Sequence, residues 1–455
     1  MERDSLGEID ISTRALWGPQ TERARRNFDI SGELVGHFRP LMRALALVKQ
    51  AAAMANGRIG ILPSAKAEAI AAAAQEVAAG LHDLEFCVDI LQGGAGTSTN
   101  MNMNEVIANR GLELLGRARG DYAALHPNDD VNLSQSTNDV YPTAVRLALI
   151  GAAPTLAGAL GRLSDAFDEK ALTFDGIAKL GRTQLQDAVP MTLGQEFRAF
   201  AVTLREDLPR LREAADLLRE VNLGGTAIGT GIAAHSSFGR IAREELERLS
   251  GERLLPASDL IEASWDAGAF VHFSSVLKRV AVKLSKIAND LRLLSSGPRG
   301  GLGEIRLPPV QPGSSLMPGK VNPVIPEMVN QVAFTVIGGD LTITLAAEAG
   351  QLQLNPFEPL IAATLLRAIR LLSRAANTLA SRCVDGITAD EAACARHLDA
   401  GAARATSLVP LVGYDRAAGL ARTAIASGRP LRDIVVESGL LAPGTVEAAF
   451  GAGPR

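Results

Sequence analysis

The side chains most able to do chemistry in this 455-residue chain gather in four small clusters of hydroxyl and amide residues. They are Thr97-Ser98-Thr99-Asn100, Ser134-Gln135-Ser136-Thr137-Asn138, Thr183-Gln184, and Ser314-Ser315 with Lys320 and Asn322. Taken singly, each reads as a helix cap or a turn, the usual employment of Ser, Thr and Asn. Taken together, they could line a site rich in fixed donors that binds a small polyanion, with Lys320 as its point charge. The Gly313–Asn322 segment is the most informative. Its glycines at 313 and 319 read as permitting unusual backbone angles, and Pro318 stiffens the loop. Ser314 would then hold its hydroxyl near backbone N–H groups. Asn322-Pro323 would open a helix whose N-terminus favours a carboxylate. These residues describe an anion site beside a loop serine and, by themselves, name no reaction.

Other chemistries lack their residues. The chain has no HExxH, no Cys/His grouping at zinc spacing, no GxSxG and no P-loop, so no metal site is expected. Gly224–Gly231 holds several glycines, but no strand is expected before it and its spacing misses the dinucleotide pattern. Cys87, Cys383 and Cys394 are too few and too scattered for a disulfide framework, and the last two read as core thiols. His126 adjoins Pro127-Asn128-Asp129 and is a candidate for a secondary anion site; the other histidines read as structural or surface groups. Lys+Arg 46 against Asp+Glu 50 gives a net charge of −4, which excludes a basic phosphate-backbone binder. No nucleic-acid partner is expected. The opening residues, MERDSLGEID, lack the apolar centre of a signal peptide, and no uninterrupted apolar run reaches the ~18–20 residues of a membrane span. The expected location is therefore cytoplasmic, with no membrane partner.

The elements that must position these clusters read as helices. Hydrophobic residues make up 47% and aromatic residues only 4%, and this Ala- and Leu-rich mix favours helix over strand. From about Pro40 to Leu91 the pattern is helical, and a long helix is expected to start near Pro142, where proline suits a first turn. Leu204, Leu208, Leu211, Ala215 and Leu218 recur at helical spacing on what reads as one helix. Phe273, Leu277, Val280, Leu284, Ile287, Leu291 and Leu294 hold the same rhythm. Each set makes one apolar stripe, suited to near-antiparallel bundle packing or to the core of an oligomer. A third helix should follow Asn322-Pro323, with its β-branched tail Gly338–Ile343 read as buried helix. The stretch from Ser295 to Asn322 lacks periodicity, and a long irregular loop in a helical protein is usually functional or disordered. Residues 395–455 look like a small helical appendix.

Several of these stretches are similar to one known family. GSSLMPGKVNP at 313–323 resembles the signature of the aspartase/fumarase superfamily, and the resemblance covers nearly the whole chain. LWGPQTERARRNF at 16–28 looks like the superfamily's amino-terminal motif. GGAGTSTNMNMNEVIANRGLELLG at 93–116, NDDVNLSQSTNDVYPTA at 128–144, GRTQLQDAVPMTLGQEFRAF at 181–200 and GQLQLNPFEPLI at 350–361 resemble its aspartase branch most.

The resemblance implies an all-α fold of three mainly helical domains, at 1–138, 139–394 and 395–455, with a catalytic loop at 297–319. The central domain would contribute to a twenty-helix core in a homotetramer, and each active site would draw on three subunits. The implied activity is loss of the C2 substituent of a C4 dicarboxylate to give fumarate, with ammonia from L-aspartate expected first and water or nitrite as alternative leaving groups. An inactive structural homologue is the remaining alternative. No cofactor is implied.

By the same resemblance Ser314 matches the catalytic base, while Lys320 and Asn322 match the residues that hold the carboxylate beside the acidic C–H. Thr97, Ser136, Thr137 and Asn138 match positions around the amino group and carboxylates, and Thr183 matches a carboxylate-binding threonine. Gln184, a further substrate-binding position, stands where many relatives have His; Asp130 also stands where several have His. Gly401 and Val409 replace a serine and an asparagine of the superfamily.

Overall fold

Alanine and leucine dominate the helices because neither loses much side-chain freedom there. The computed structural model describes residues 2–400 and 403–451, and among these the chain forms sixteen α-helices with only short strands. The sheets are all two-stranded. The chain divides into two compact units. One comprises the chain up to Leu156, Pro209–Arg279 and Thr335–Leu371; the other comprises Ala157–Leu208, Val280–Phe334 and the chain from Leu372 onward.

In the first unit the helix Arg39–Ile59 is the central support, closed by Gly60 in a left-handed turn. It packs against the helices Ser64–Ala79 and Phe238–Ser250. Leu41, Leu45, Val48, Ala52 and Ala55 are fully buried along it. The long helix expected near Pro142 starts earlier, at Thr137, and runs to Thr173 with Pro142 inside it. Pro142 has no N–H to donate to the carbonyl of Asn138 four residues back. The side chain of Asn222 donates to that carbonyl instead, at 3.0 Å, so the proline leaves no orphan. Two helices, Thr137–Thr173 and Val324–Glu348, are long and apolar enough to cross a membrane by length and composition. Most of the apolar window in the first is buried inside the protein.

The stripe from Phe273 to Leu294 lies on one helix, Gly268–Leu294, and all seven of its residues are buried. The stripe from Leu204 to Leu218 differs from expectation. Leu204, Leu211, Ala215 and Leu218 are buried, but the chain forms two helices, Leu193–Arg205 and Asp207–Asp216, separated at Glu206. Pro209 gives the physical reason: it cannot donate to the carbonyl of Arg205, so a continuous helix would lose a bond there. The helix Val324–Glu348 forms through its β-branched tail, as expected. That tail is not a buried helix in the single chain. Ile343 and Val336 face inward, whereas Phe334, Leu341 and Leu345 are 62%, 61% and 60% exposed.

In the second unit the longest strand pair is the hairpin Ala178–Thr183 with Gln186–Thr192. Leu180 of its first strand joins Leu398 and Ala403 in a small apolar cluster. The carboxy-terminal helices from Ala405 onward build their own core from Leu408, Leu420, Leu431, Ile434, Val435 and Val446. Val409 packs against that core as an apolar side chain, while Gly401 lies outside the described residues.

Candidate functional site

The site residues of the first unit lie where two helices begin. Thr97 opens the helix Thr97–Leu114 directly after Gly96, which is left-handed at φ +88. A Cβ on Gly96 would lie 2.6 Å from the ring of Tyr141, so only glycine fits this approach. Thr97 is exposed, and its hydroxyl donates to the carbonyl of Gly94 at 2.7 Å. One turn on, the amide of Asn100 donates to Thr137 Oγ1 at 3.1 Å and to Asn132 Oδ1 at 3.2 Å. That contact joins the start of the Thr97 helix to the start of the Thr137 helix. Ser136 Oγ accepts the N–H of Asn138 at 3.2 Å, and the amide of Asn138 donates to the carbonyl of Ala227 at 2.8 Å.

Two residues that hold this arrangement were not among the sequence candidates. Asp139 is fully buried; one oxygen accepts the N–H of Ser136 and the other accepts the N–H groups of Gly224 and Thr226. Burial pushes its carboxyl above the ordinary range, against these hydrogen bonds and the charge of Lys49. The glycine-rich loop is thereby tied to the Ser136–Asn138 turn. A short strand, Glu220–Val221, does precede that loop, contrary to expectation, and pairs in parallel with Leu255–Pro256. The loop's glycines serve close packing: a Cβ on Gly229 would meet the backbone of Leu260 and Ile261 at 2.4 Å. The second residue is Lys49, fully buried, with Nζ donating to Asn132 Oδ1 and Gln135 Oε1, each at 2.9 Å. Burial lowers its pKa to about 7, opposed by Asp139. Its signal in the sequence is a lone cation inside the apolar run of the Arg39–Ile59 helix.

In the second unit Thr183 and Gln184 project, exposed, from the tip of the Ala178–Thr192 hairpin, where Thr183 faces Gln186. The two turn residues, Gln184 and Leu185, are left-handed at φ +55 and +62. Such a turn ordinarily takes Asn or Gly, and side-chain-bearing residues cost roughly 1–2 kcal/mol each there. The strain falls on the tip that carries the candidate residues.

The segment 313–322 closes on itself. Gly313 N–H donates to the carbonyl of Lys320 at 2.9 Å, and the amide of Asn322 donates back to the carbonyl of Gly313. Gly319 is left-handed at φ +78, as its type suggests. Gly313 is not; it is required by space, since a Cβ would lie 2.1 Å from the carbonyl oxygen of Lys320. Ser314 Oγ accepts the N–H groups of Leu316 at 3.1 Å and Met317 at 2.9 Å. A hydroxyl oxygen with two fixed donors on it is stabilised as it gains negative charge. Lys320 is exposed, and the helix expected after Asn322-Pro323 begins at Val324. A cleft of about 590 Å³ beside the segment is lined by Arg292, Arg306, Lys320 and Asn322. A second, of about 360 Å³, is lined by Ser314, Met317 and Lys320. Three cations around two clefts suit a small polyanion.

Elsewhere, His126 Nδ1 accepts the N–H groups of Asn128 and Asp129, so this histidine caps its own turn. Cys383 and Cys394 are buried, and burial pushes their thiols up to about 12 and about 11.

Residues 7–338 match the family model described as Lyase, and residues 405–451 match the one described as Fumarase C C-terminus. The aspartate ammonia-lyase of Pseudomonas aeruginosa is 57% identical over 447 residues, which are 98% of this chain and 94% of that protein. A solved fumarate lyase/delta crystallin from Brucella melitensis, bound to cobalt, is 59% identical with a TM-score of 0.97, covering 99% of this chain and 98% of that one. A class II fumarase from Schistosoma mansoni keeps the same fold at 34% identity, with a TM-score of 0.94 over 99% of each chain.

Proposed function

The chain belongs to the aspartase/fumarase superfamily of lyases, and we propose that it converts L-aspartate to fumarate and ammonia. The leaving group follows the nearer resemblance: identity is 57% to the P. aeruginosa aspartate ammonia-lyase and 34% to the class II fumarase.

The observation that carries the chemistry is the pair of backbone N–H groups on Ser314 Oγ. As an oxyanion, Ser314 takes the C3 proton of the substrate. The C–H electron pair delocalises into the adjacent carboxylate as an aci-carboxylate, then forms the C2=C3 bond as the C2–N bond breaks and ammonia leaves with its electron pair. Charge develops on the carboxylate next to C3, so donors there stabilise the transition state more than the ground state. Lys320 and the side-chain amide of Asn322 supply that charge stabilisation, with Thr183 and Gln184 as further donors to the substrate. Thr97, Ser136, Thr137 and Asn138 hold the amino group and the other carboxylate. Serine is a weak base in water, so closure of the 297–319 loop must also exclude solvent.

We further infer that the active form is a homotetramer with composite sites. The exposed Phe334, Leu341 and Leu345 on one helix support this, because a row of large apolar residues is costly to leave in water. Light scattering should give about four times 47.7 kDa. An active monomer refutes the assembly. The activity is tested by following the ultraviolet absorbance of fumarate with L-aspartate, L-malate and nitrosuccinate offered in parallel. Fumarate formed from malate or nitrosuccinate but not from aspartate overturns the ammonia reading, and no product from any of them favours an inactive homologue.

A further inference from the structure

The hairpin that carries Thr183 and the loop that carries Ser314 share a root at Glu304. This carboxylate is fully buried. Its Oε1 accepts from Arg182 Nη1 at 2.7 Å, and its Oε2 lies 2.9 Å from Lys179 Nζ, an ion pair outside hydrogen-bond alignment. Lys179 is itself only 2% exposed and also pairs with Glu196. Both cations belong to the strand Ala178–Thr183, and Arg182 immediately precedes Thr183. One carboxylate therefore holds that strand at two points, close to its functional end.

The backbone of Glu304 holds the loop. Its N–H donates to the carbonyl of Leu294, at the end of the Gly268–Leu294 helix, at 2.9 Å. Its carbonyl accepts the N–H of Asp390 at 2.9 Å. The residues on either side are tied as well: His397 Nε2 lies 2.8 Å from the carbonyl of Leu302, and Ile305–Arg306 pairs with Thr388–Ala389. Beyond Arg306 this anchoring ends. Among the described residues, the hydrogen bonds of residues 307–321 run within that segment and to Asn322. Pro308 still packs on Gly386, where an added Cβ would lie 2.8 Å from its ring. Past it the loop is an arm whose hydrogen bonds are its own, so the fixed root ends within a few residues of Glu304.

An apolar contact would hold a loop with less desolvation cost than a buried carboxylate. A carboxylate between two cations fixes direction as well as distance, and removing one partner leaves the other charges uncompensated. We propose that Glu304 is a positioning residue for the lyase reaction. Through Arg182 and Lys179 it sets the pose of Thr183 and Gln184, and through its own backbone it sets the hinge from which the Ser314 arm closes. This inference rests on the site reading given above.

The test is Glu304→Gln in the full chain, which keeps the shape and removes the charge. Kinetics on L-aspartate are measured well below the variant's melting temperature. KM should rise and kcat fall, together lowering kcat/KM by about tenfold or more. Hydrogen exchange at 180–187 and at 307–319 should accelerate together. Arg182→Met severs only the hairpin arm, so it should raise KM while kcat stays within about twofold, and adding it to Glu304→Gln should raise KM no further. A merely structural ion pair would lower the melting temperature and leave both kinetic constants at wild-type values; that result, or additive KM effects in the double variant, overturns the proposal. If Glu304→Gln does not fold, Lys179→Gln/Glu304→Gln removes both buried charges and is read by the same criteria. If the wild type makes no fumarate from aspartate, the functional reading fails on its own. Exchange then decides the anchor: joint acceleration of hairpin and loop supports it, and acceleration of one alone overturns it.

Discussion

Replacing Ser314 by alanine separates two roles that its geometry allows. Its oxygen accepts the N–H groups of Leu316 and Met317, the pattern of a turn cap and also of a stabilised oxyanion. As a cap alone, the hydroxyl is worth about 1 kcal/mol or less, because both amides sit on exposed residues that water can reach. In a chain of this length that shifts the melting temperature by roughly 1–2 °C. As the base, its loss should lower kcat by about 10²–10⁴-fold, equivalent to ~3–5 kcal/mol in the barrier, with folding and fumarate binding nearly intact. The neighbouring Ser315 is exposed and provides the control for register. The assay is fumarate release at saturating aspartate for Ser314→Ala and Ser315→Ala, with melting curves for both. If Ser314→Ala turns over at the wild-type rate, the serine is a cap and the mechanism is wrong. If Ser315→Ala is the inactive variant, the base has been placed one residue too early.

Lys320→Ala should lower kcat/KM by an amount equivalent to about 3 kcal/mol or more if, as proposed, its charge holds a carboxylate that the closed loop desolvates; a value within about twofold of wild type ends the assignment. Gly313→Ala should abolish turnover without changing the melting temperature by more than a few degrees, because the new methyl would sit 2.1 Å from the carbonyl of Lys320 and the 313–322 ring cannot close; full activity would show the ring to be dispensable. Glu358 supplies a pH dependence. Burial pushes its carboxyl up to about 8 from an ordinary value of 4.5, with Arg146 opposing. The folded state then holds this proton more tightly than the unfolded one, so the group's contribution is complete below 4.5 and is lost as the pH rises through 8. Glu358→Gln does not titrate, so its melting temperature should gain on the wild type between about pH 5 and pH 8. A difference that stays flat across that range refutes the shift.

The helical class was legible without coordinates because it depends on local quantities. Ala and Leu content sets helix propensity, and the spacing from Phe273 to Leu294 sets a buried stripe that the structure keeps intact. Part of the Gly313–Asn322 loop was legible for the same reason, since Gly319 takes the left-handed angle its type suggests, whereas Gly313 is required by its approach to the carbonyl of Lys320. Elsewhere proline misled as well as guided. Pro142 reads as a helix start, yet the helix begins at Thr137, where Asn222 accommodates the carbonyl that the proline strands. The tail Gly338–Ile343 of the Val324–Glu348 helix reads as buried, although Leu341 within it and Phe334 and Leu345 to either side are exposed.

What the tertiary structure alone decided are the polar residues that hold the clusters. Asp139 finds partners at Gly224 and Thr226, Lys49 at Asn132 and Gln135, and Glu304 at Lys179 and Arg182. In sequence Asp139 and Glu304 are ordinary charges that no periodicity marks, and Lys49 shows only as a cation within an apolar run. A charge survives burial only when distant segments bring it a counter-charge or fixed hydrogen bonds. Those partners exist only once the chain has folded, so the sequence could nominate candidates to meet the substrate but not the residues that hold those candidates in place.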